Sequence, residues 1–382
     1  MKTEKVSKIN FIVTFILCLT ILGLYFAPDI FYHFKNRANR YGHVQITSEV
    51  QTIVEGIRPI DLHADLLLWN RDIQGPNFRG HLDFNRLIKS NFQMSVFSTV
   101  TKIPKNRNYF SNRDDSDILS MLMIAQRWPQ STWYSPFERA LFQASKLKKA
   151  VSLSNNQVYL IKNSIDILTN PEKLGIILAT EGMNLIEGDL ENAQHLYDSG
   201  FRMFGLTHFT DNSVGGSAHG EFKIGLTSFG RQLLSFAKEK KVIIDLAHSS
   251  EKLIDDVLTQ YDWPVIVSHT GVQGTCPSPR NLSDDQIRKV VSRQGLIGIA
   301  FFPEAICDYS PKGIVDSMEY VEKIGGIDVV ALGSDFEGSV KTDFDVMGTS
   351  LIIQEMWNRN WPQEKIEKVM FKNAHDFFIR NL

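Results

Sequence analysis

The sequence predicts an α/β chain: a TIM-type (β/α)8 barrel with extra helices, preceded by an N-terminal transmembrane helix. Three observations carry this. Eight short apolar runs recur along the chain, separated by longer polar segments with helical character. The runs are rich in Ile, Val, Leu and Phe, as parallel strands covered on both faces should be. Before them stands a long apolar stretch without a charge.

That first stretch runs from about Ile9 to Ala27 and follows Lys2, Lys5 and Lys8. Its length suits a bilayer span of ~20 residues. It ends in Tyr25, Phe26, Ala27 and Pro28, a poor cleavage site, so residues 1–30 are read as an anchor in preference to a cleaved signal. No small residue precedes Cys18, which argues against a lipid-modified cysteine. Lys35, Arg37 and Arg40 weaken the orientation signal of the first lysines. The favoured topology places the part that follows outside the cytoplasm, periplasmic or extracellular. Residues 31–55 form a polar connector with some helical character, and 56–382 form the barrel.

The eight runs are Arg58–His63, Phe92–Val100, Gly175–Thr180, Met203–Thr207, Val242–Ala247, Pro264–Ser268, Leu296–Phe302 and Val329–Gly333. Between them, Leu190–Ser199, Ser228–Lys240, Asp284–Arg293 and Ile314–Lys323 read as helices. Gly200 suits a helix C-terminus, and Ser283 suits an N-cap. Strand and helix alternate, which implies parallel architecture, and eight strands favour closure. The long segment after the second run adds outer helices at Asp117–Arg127 and Phe137–Ala150. The tail from about Met347 to Phe378 adds two more.

Composition narrows the function. The chain has 382 residues, of which 43% are hydrophobic and 22% charged, with a formal net charge of -2. Such a chain folds around a core. It shows no basic stripe with interleaved aromatics, so nucleic acid is not an expected partner. Of three cysteines, Cys18 lies in the apolar stretch. An exported domain can pair Cys276 with Cys307; two buried free thiols are the other reading.

The chemistry lies where polar residues end the apolar runs. The first run ends in His63 and Asp65, the third in Glu181, the fourth in His208. The fifth ends in His248, the sixth in His269 and the eighth in Asp335. In a barrel these ends converge on one face, where active sites are built. Any one of them has a plain structural reading: a lone histidine packs, and a lone aspartate caps a helix. Six strand ends acquiring such residues independently is much harder to explain. Imidazoles and carboxylates suit zinc and similar divalent ions. His63 and Asp65, two apart, share one side of an extended strand. A carboxylate such as Glu181 can bridge two ions, and coordination lowers the pKa of a bound water from ~15.7 towards ~7, giving a hydroxide nucleophile. His195, His375, His33 and His43 get the plain reading, while His81 and His219 stay undecided, in loops that could border the face.

These segments resemble the membrane dipeptidase, or renal dipeptidase, family of zinc metallopeptidases. The matching stretches are Asp61-Leu-His-Ala-Asp65, Glu181-Gly-Met-Asn-Leu-Ile-Glu-Gly-Asp189, Leu206-Thr-His208, Gly225-Leu-Thr-Ser-Phe-Gly230, Asp245-Leu-Ala-His-Ser-Ser250, Ser268-His269, Pro279-Arg-Asn281 and Gly333-Ser-Asp-Phe-Glu-Gly338. The resemblance runs from roughly Ile60 to the C-terminus and is specific in its order. It implies a TIM-like barrel with two zinc ions. His63, Asp65 and Glu181 would hold one, and Glu181 would bridge to a second held by His248 and His269. His208 would polarise the scissile carbonyl, Arg280 would grip the substrate's terminal carboxylate, and Asp335 would move a proton from the bridging water to the leaving amine. It implies a Cys276–Cys307 disulfide as well.

Two departures stand out. Ala64 occupies a position usually held by Asn, and Gln93-Met-Ser-Val-Phe-Ser98 matches the family poorly. The resemblance thus implies hydrolysis of dipeptides with a free C-terminal carboxylate. The rivals are another metal-dependent amidohydrolase, such as an N-acyl-amino-acid deacylase, and a membrane-anchored binding protein without turnover. The expected partner is a small peptide substrate. Membrane attachment is expected through the N-terminal segment, and a homodimer stays open.

Overall fold

The computed structural model describes residues 14–15, 23, 25–77 and 79–382. The expected membrane span at Ile9–Ala27 therefore lies largely outside the described residues. Among the described residues, no helix is long and apolar enough to cross a membrane.

Eight parallel strands close into a barrel: β1 (Ile60–Ala64), β2 (Met94–Val100), β3 (Leu174–Glu181), β4 (Phe201–Gly205), β5 (Ile243–Asp245), β6 (Val265–Thr270), β7 (Leu296–Ile299) and β8 (Val330–Leu332). Each of the eight apolar runs supplies one strand. Around the ring the order is β2-β1-β8-β7-β6-β5-β4-β3, and β3 closes it by pairing with β2 from Met94–Gly175 through Val100–Glu181. Every strand is buried almost throughout, which is why each reads as an apolar run and not as an alternation.

The barrel interior is packed by Ile60, Leu62, Met94, Val96, Ile177, Met203, Ile243 and Ile266. Phe377 and Phe378 of the C-terminal helix Asn373–Asn381 belong to the same cluster. That helix is tied to β8 by Asn373, whose Nδ2 donates to the carbonyls of Ile327 and Val330 at 2.8 and 2.9 Å. The larger core lies between strands and outer helices.

Most expected helices appear with small shifts at their ends. Ser283 caps Asp284–Ser292 in a reciprocal box with Gln286. Gly200 follows Leu190–Asp198 with φ +103°, a conformation in which a side chain is strained. The helix Glu251–Gln260, capped by Ser250, was not among the expected elements. Neither was the three-residue strand Val158–Leu160 beside β3. The connector is more ordered than its polarity implies. A helix over 25–35 crosses from the expected anchor into the connector, Arg37–Arg40 pairs in parallel with Lys341–Phe344, and Ser48–Gly56 is a helix capped by Thr47.

Candidate metal centre

Seven of the expected site residues meet at the C-terminal ends of the strands, and Glu181 is their hub. Its Oε1 lies 3.1 Å from His248 Nε2, 3.5 Å from His63 and His208 Nε2, and 3.6 Å from His269 Nε2. Asp65 Oδ1 is 3.4 Å from His63 Nε2, and Asp335 Oδ1 is 3.9 Å from the same nitrogen. All are buried. Three overlapping triads have their ligand atoms within 4.8 Å of one another: His63, Asp65 and Glu181; Glu181, His208 and His248; His63, His269 and Asp335.

Several of these atoms lack a hydrogen-bonding partner. His63 Nε2, Asp65 Oδ1 and Glu181 Oε2 are buried and unsatisfied. Leaving such groups unmatched costs roughly 1–3 kcal/mol each. The charges are equally uncompensated. Burial, then Asp65, pushes Glu181 up to about 7, and the same two causes hold Asp335 well above the carboxylate range. Burial holds His208, His248 and His269 well below the usual imidazole value. Burial would lower His63 too, yet the Asp65 and Glu181 carboxylates keep it well above. The neutral imidazoles of His208, His248 and His269 and the crowded carboxylates, with their free lone pairs, are a donor set that divalent cations fit.

The site residues are held from behind by two matching carboxylate–serine pairs. Asp245 Oδ1 accepts from Ser268 N at 2.9 Å, and Oδ2 from Ser268 Oγ at 2.6 Å. Asp61 Oδ1 accepts from Ser334 N at 2.8 Å, and Oδ2 from Ser334 Oγ at 2.6 Å. Each serine directly precedes a site residue, His269 or Asp335. With the Ser268 hydroxyl proton on Asp245, His269 Nδ1 at 2.9 Å must donate to Ser268 Oγ, which leaves Nε2 bare for a metal. Gly298 and Gly333 make room here: a Cβ on either would stand 1.9 Å from the Ser268 carbonyl oxygen. Burial pushes Asp61 up to about 6 and raises Asp245 as well.

His248, Asp335 and Glu337 all have positive φ, at 61°, 60° and 71°. Such backbone strain in non-glycine residues persists where surrounding structure enforces it, often at functional sites. The enforcement is visible for Asp335. Its N–H donates to the His63 carbonyl at 3.2 Å, and Glu337 N donates to His81 Nδ1 at 2.9 Å. Glu337 Oε1 accepts from the His81 and Leu82 amides and pairs with Arg71 Nη1 at 2.6 Å. His81 thus supports the loop that carries Asp335. His219 borders the cluster without joining it. Its ring lies 5.3 Å from that of His248, it meets the Tyr109 carbonyl at 3.0 Å, and burial lowers it to about 3.

Arg280 is buried beside the cluster, its Nη2 donating to the His269 carbonyl at 2.8 Å and its Nε unmatched. It lines the same cavity as Glu181, His208, His248 and Asp335. Cys276 and Cys307 form the disulfide that the resemblance implies, with Cα atoms 5.5 Å apart. Ala64 is buried and touches Phe336 through an isolated bridge, so this departure leaves the local backbone paired.

Several known proteins are similar to this chain. Dipeptidase tcpJ of Claviceps purpurea is 25% identical over 306 residues, covering 77% of this chain and 68% of that one. Dipeptidase 3 of Mus musculus is 24% identical over 324 residues, 78% of this chain and 63% of its own. A solved metallo peptidase from Rhodobacter sphaeroides, liganded with a phosphinate mimic of dipeptide L-Ala-D-Ala, shares the fold with a TM-score of 0.72 at 22% identity, over 85% of this chain and 99% of that one. A family model for membrane dipeptidases, peptidase family M19, matches residues 47–377. With most of the chain covered, the protein belongs to the membrane dipeptidase family.

Proposed function

We propose that this chain, a metal-dependent dipeptidase by family, cleaves the amide bond of dipeptides with a free C-terminal carboxylate, using two zinc ions. The observation that carries the reading is the hub at Glu181, where one carboxylate lies within reach of imidazoles from both halves of the cluster. His63, Asp65 and Glu181 would hold one ion; Glu181, His248 and His269 would hold the other. When bound, such ions polarise a carbonyl and bring the pKa of a water from ~15.7 towards ~7.

The chain's own residues supply the rest. Arg280 offers a planar fork to the terminal carboxylate and so fixes which amide lies over Glu181. His208, neutral and unmatched at Nδ1, donates to the carbonyl oxygen as charge develops there. Asp335 takes a proton from the attacking water and passes it to the leaving nitrogen. The C–N bond breaks as the carbon gains the water oxygen, and the products are two amino acids. Ionised, the Asp335 carboxylate accepts that proton, and once protonated it gives it up to the nitrogen.

The apolar stretch at the N-terminus would hold the barrel at a membrane, on the side away from the cytoplasm. The Cys276–Cys307 disulfide supports that placement, since such bonds persist in oxidising compartments. The deciding assay sets a free dipeptide against its C-terminal amide and a chelated control. Chelator-sensitive cleavage of the free form alone is expected. Cleavage of N-acyl amino acids with none of dipeptides would replace the reading with a deacylase.

A further inference from the structure

The catalytic cavity holds about 540 Å³, and the metal-type residues occupy only one part of it. The remainder is mostly apolar, with Lys35, Asn106 and Arg107 also on its lining. Trp69 after β1, Val100 and Ile103 at the end of β2, and Met121 of the helix Leu119–Ala125 line it. Helix 25–35 contributes as well: Ala27, Pro28 and Phe31 form one wall of the same cavity.

This helix is fastened at both ends. Tyr32 is buried and its hydroxyl meets Arg71, which pairs with Glu337 two residues beyond Asp335. Asn36 Oδ1 accepts from Ser339 N at 2.9 Å. At the other end Arg127 donates to the Tyr25 carbonyl at 3.2 Å and lies 4.0 Å over its ring. The Tyr32 and Phe31 rings stand 5.2 and 6.3 Å from Trp69. The wall is thus built into the site and bonded to the loop that carries Asp335.

Ring order then fixes the sense of the compartment. β2 and β6 stand four strands apart in the eight-stranded ring, so they face each other across it. Arg280 follows β6, and the apolar compartment lies over β1 and β2. A dipeptide with its carboxylate on Arg280 and its amide over Glu181 extends its first residue towards the opposite side.

We infer that the compartment walled by helix 25–35 receives the side chain of the substrate's first residue and selects bulky apolar ones. The inference rests on the dipeptidase reading and adds its substrate class. It makes helix 25–35 a specificity element of the catalytic site.

The test uses the full chain loaded with zinc. The readout is the ratio of kcat/KM for Phe-Ala over Gly-Ala. The wild type should favour Phe-Ala. Phe31→Ala should lower the ratio about tenfold, the scale at which apolar pockets discriminate. Ala27→Trp, which fills the compartment, should lower it further. Phe34→Ala, on the same helix but 63% exposed and off the cavity, should leave it unchanged. Calorimetric affinities for phosphinate analogues of the two dipeptides should show the same ordering without turnover. A wild type indifferent to the first side chain, or ratios unmoved by both cavity variants, would overturn the inference while leaving dipeptidase activity intact. Failure of the wild type to cleave either dipeptide would overturn the dipeptidase reading itself, and the inference with it.

Discussion

The rings of His248 and His269 meet at their Nε2 atoms, 2.8 Å apart. His269 Nε2 is bare, because its Nδ1 carries the proton donated to Ser268. The contact therefore needs either a proton on His248 Nε2 or a cation shared by both lone pairs. Glu181 Oε1, 3.1 Å from the same His248 nitrogen, would accept a hydrogen bond in the first case and share the cation in the second, so metal content decides between them. The purified chain should retain about two equivalents of zinc, counted by elemental analysis. A ligand that binds only the folded state stabilises it by about 2.7 kcal/mol at a hundredfold excess over Kd. Chelation should accordingly lower the thermal midpoint by several degrees. A chain that binds no metal and melts identically with and without chelator would sink the metal centre.

Asp335 is expected to separate turnover from metal binding. Its carboxylate is 3.9 Å from His63 Nε2 and is held in place by a strained, hydrogen-bonded backbone. Asp335→Asn keeps the volume and removes the proton carrier. Zinc content should stay near that of the wild type, while kcat falls by about 10²–10⁴, the usual worth of a positioned acid–base group. Steady-state kinetics beside metal analysis decides the matter. Near-normal kcat would remove the proton-transfer role, and lost zinc would make Asp335 a ligand.

Arg280 should act on the substrate carboxylate alone. Arg280→Ala is expected to raise KM for free dipeptides about a hundredfold, near the worth of a charge-assisted pair. It should also erase the preference for free over amidated substrate. Arg280→Lys should recover little, because a point charge does not reproduce the planar fork. An unchanged preference in Arg280→Ala would show that another group reads the carboxylate.

Much of this was legible in the sequence, and the reason is physical. Parallel strands buried on both faces must be apolar runs, so β1–β8 announced themselves, and a polar residue ending such a run, like Glu181 or His269, stands out. What escaped was whatever lacks a local period. The strand Val158–Leu160 is too short to show one. Asp61 and Asp245 stood inside two of the runs without a role, since nothing near them in sequence reveals Ser334 or Ser268 as their partners. Their shared placement, a few residues before His63 and His248, was the available signal. The Tyr32–Arg71–Glu337 link joins opposite ends of the chain, and only the fold brings it together. His208 was legible as a site residue, yet its reach to Glu181 Oε1, equal to that of His63, was not.

The carboxylate–serine pairs allow a test that touches no proposed ligand. Ser268→Ala removes the hydroxyl that joins Asp245 to His269. It leaves a buried carboxylate oxygen without its partner, at a cost of roughly 1–3 kcal/mol. It also frees His269 to place its proton on Nε2, where it competes with the metal. Zinc affinity, read from a chelator competition, should fall about 10–100-fold, as is usual when a group supporting a metal-bound histidine is lost. At saturating zinc, kcat should recover towards the wild-type value, because the reacting atoms are untouched. A loss of kcat that excess zinc does not restore would place Ser268 in the chemistry itself. Unchanged affinity would mean that the barrel alone orients His269, and that the matching pair at Asp61 and Ser334 braces the fold without tuning the metal.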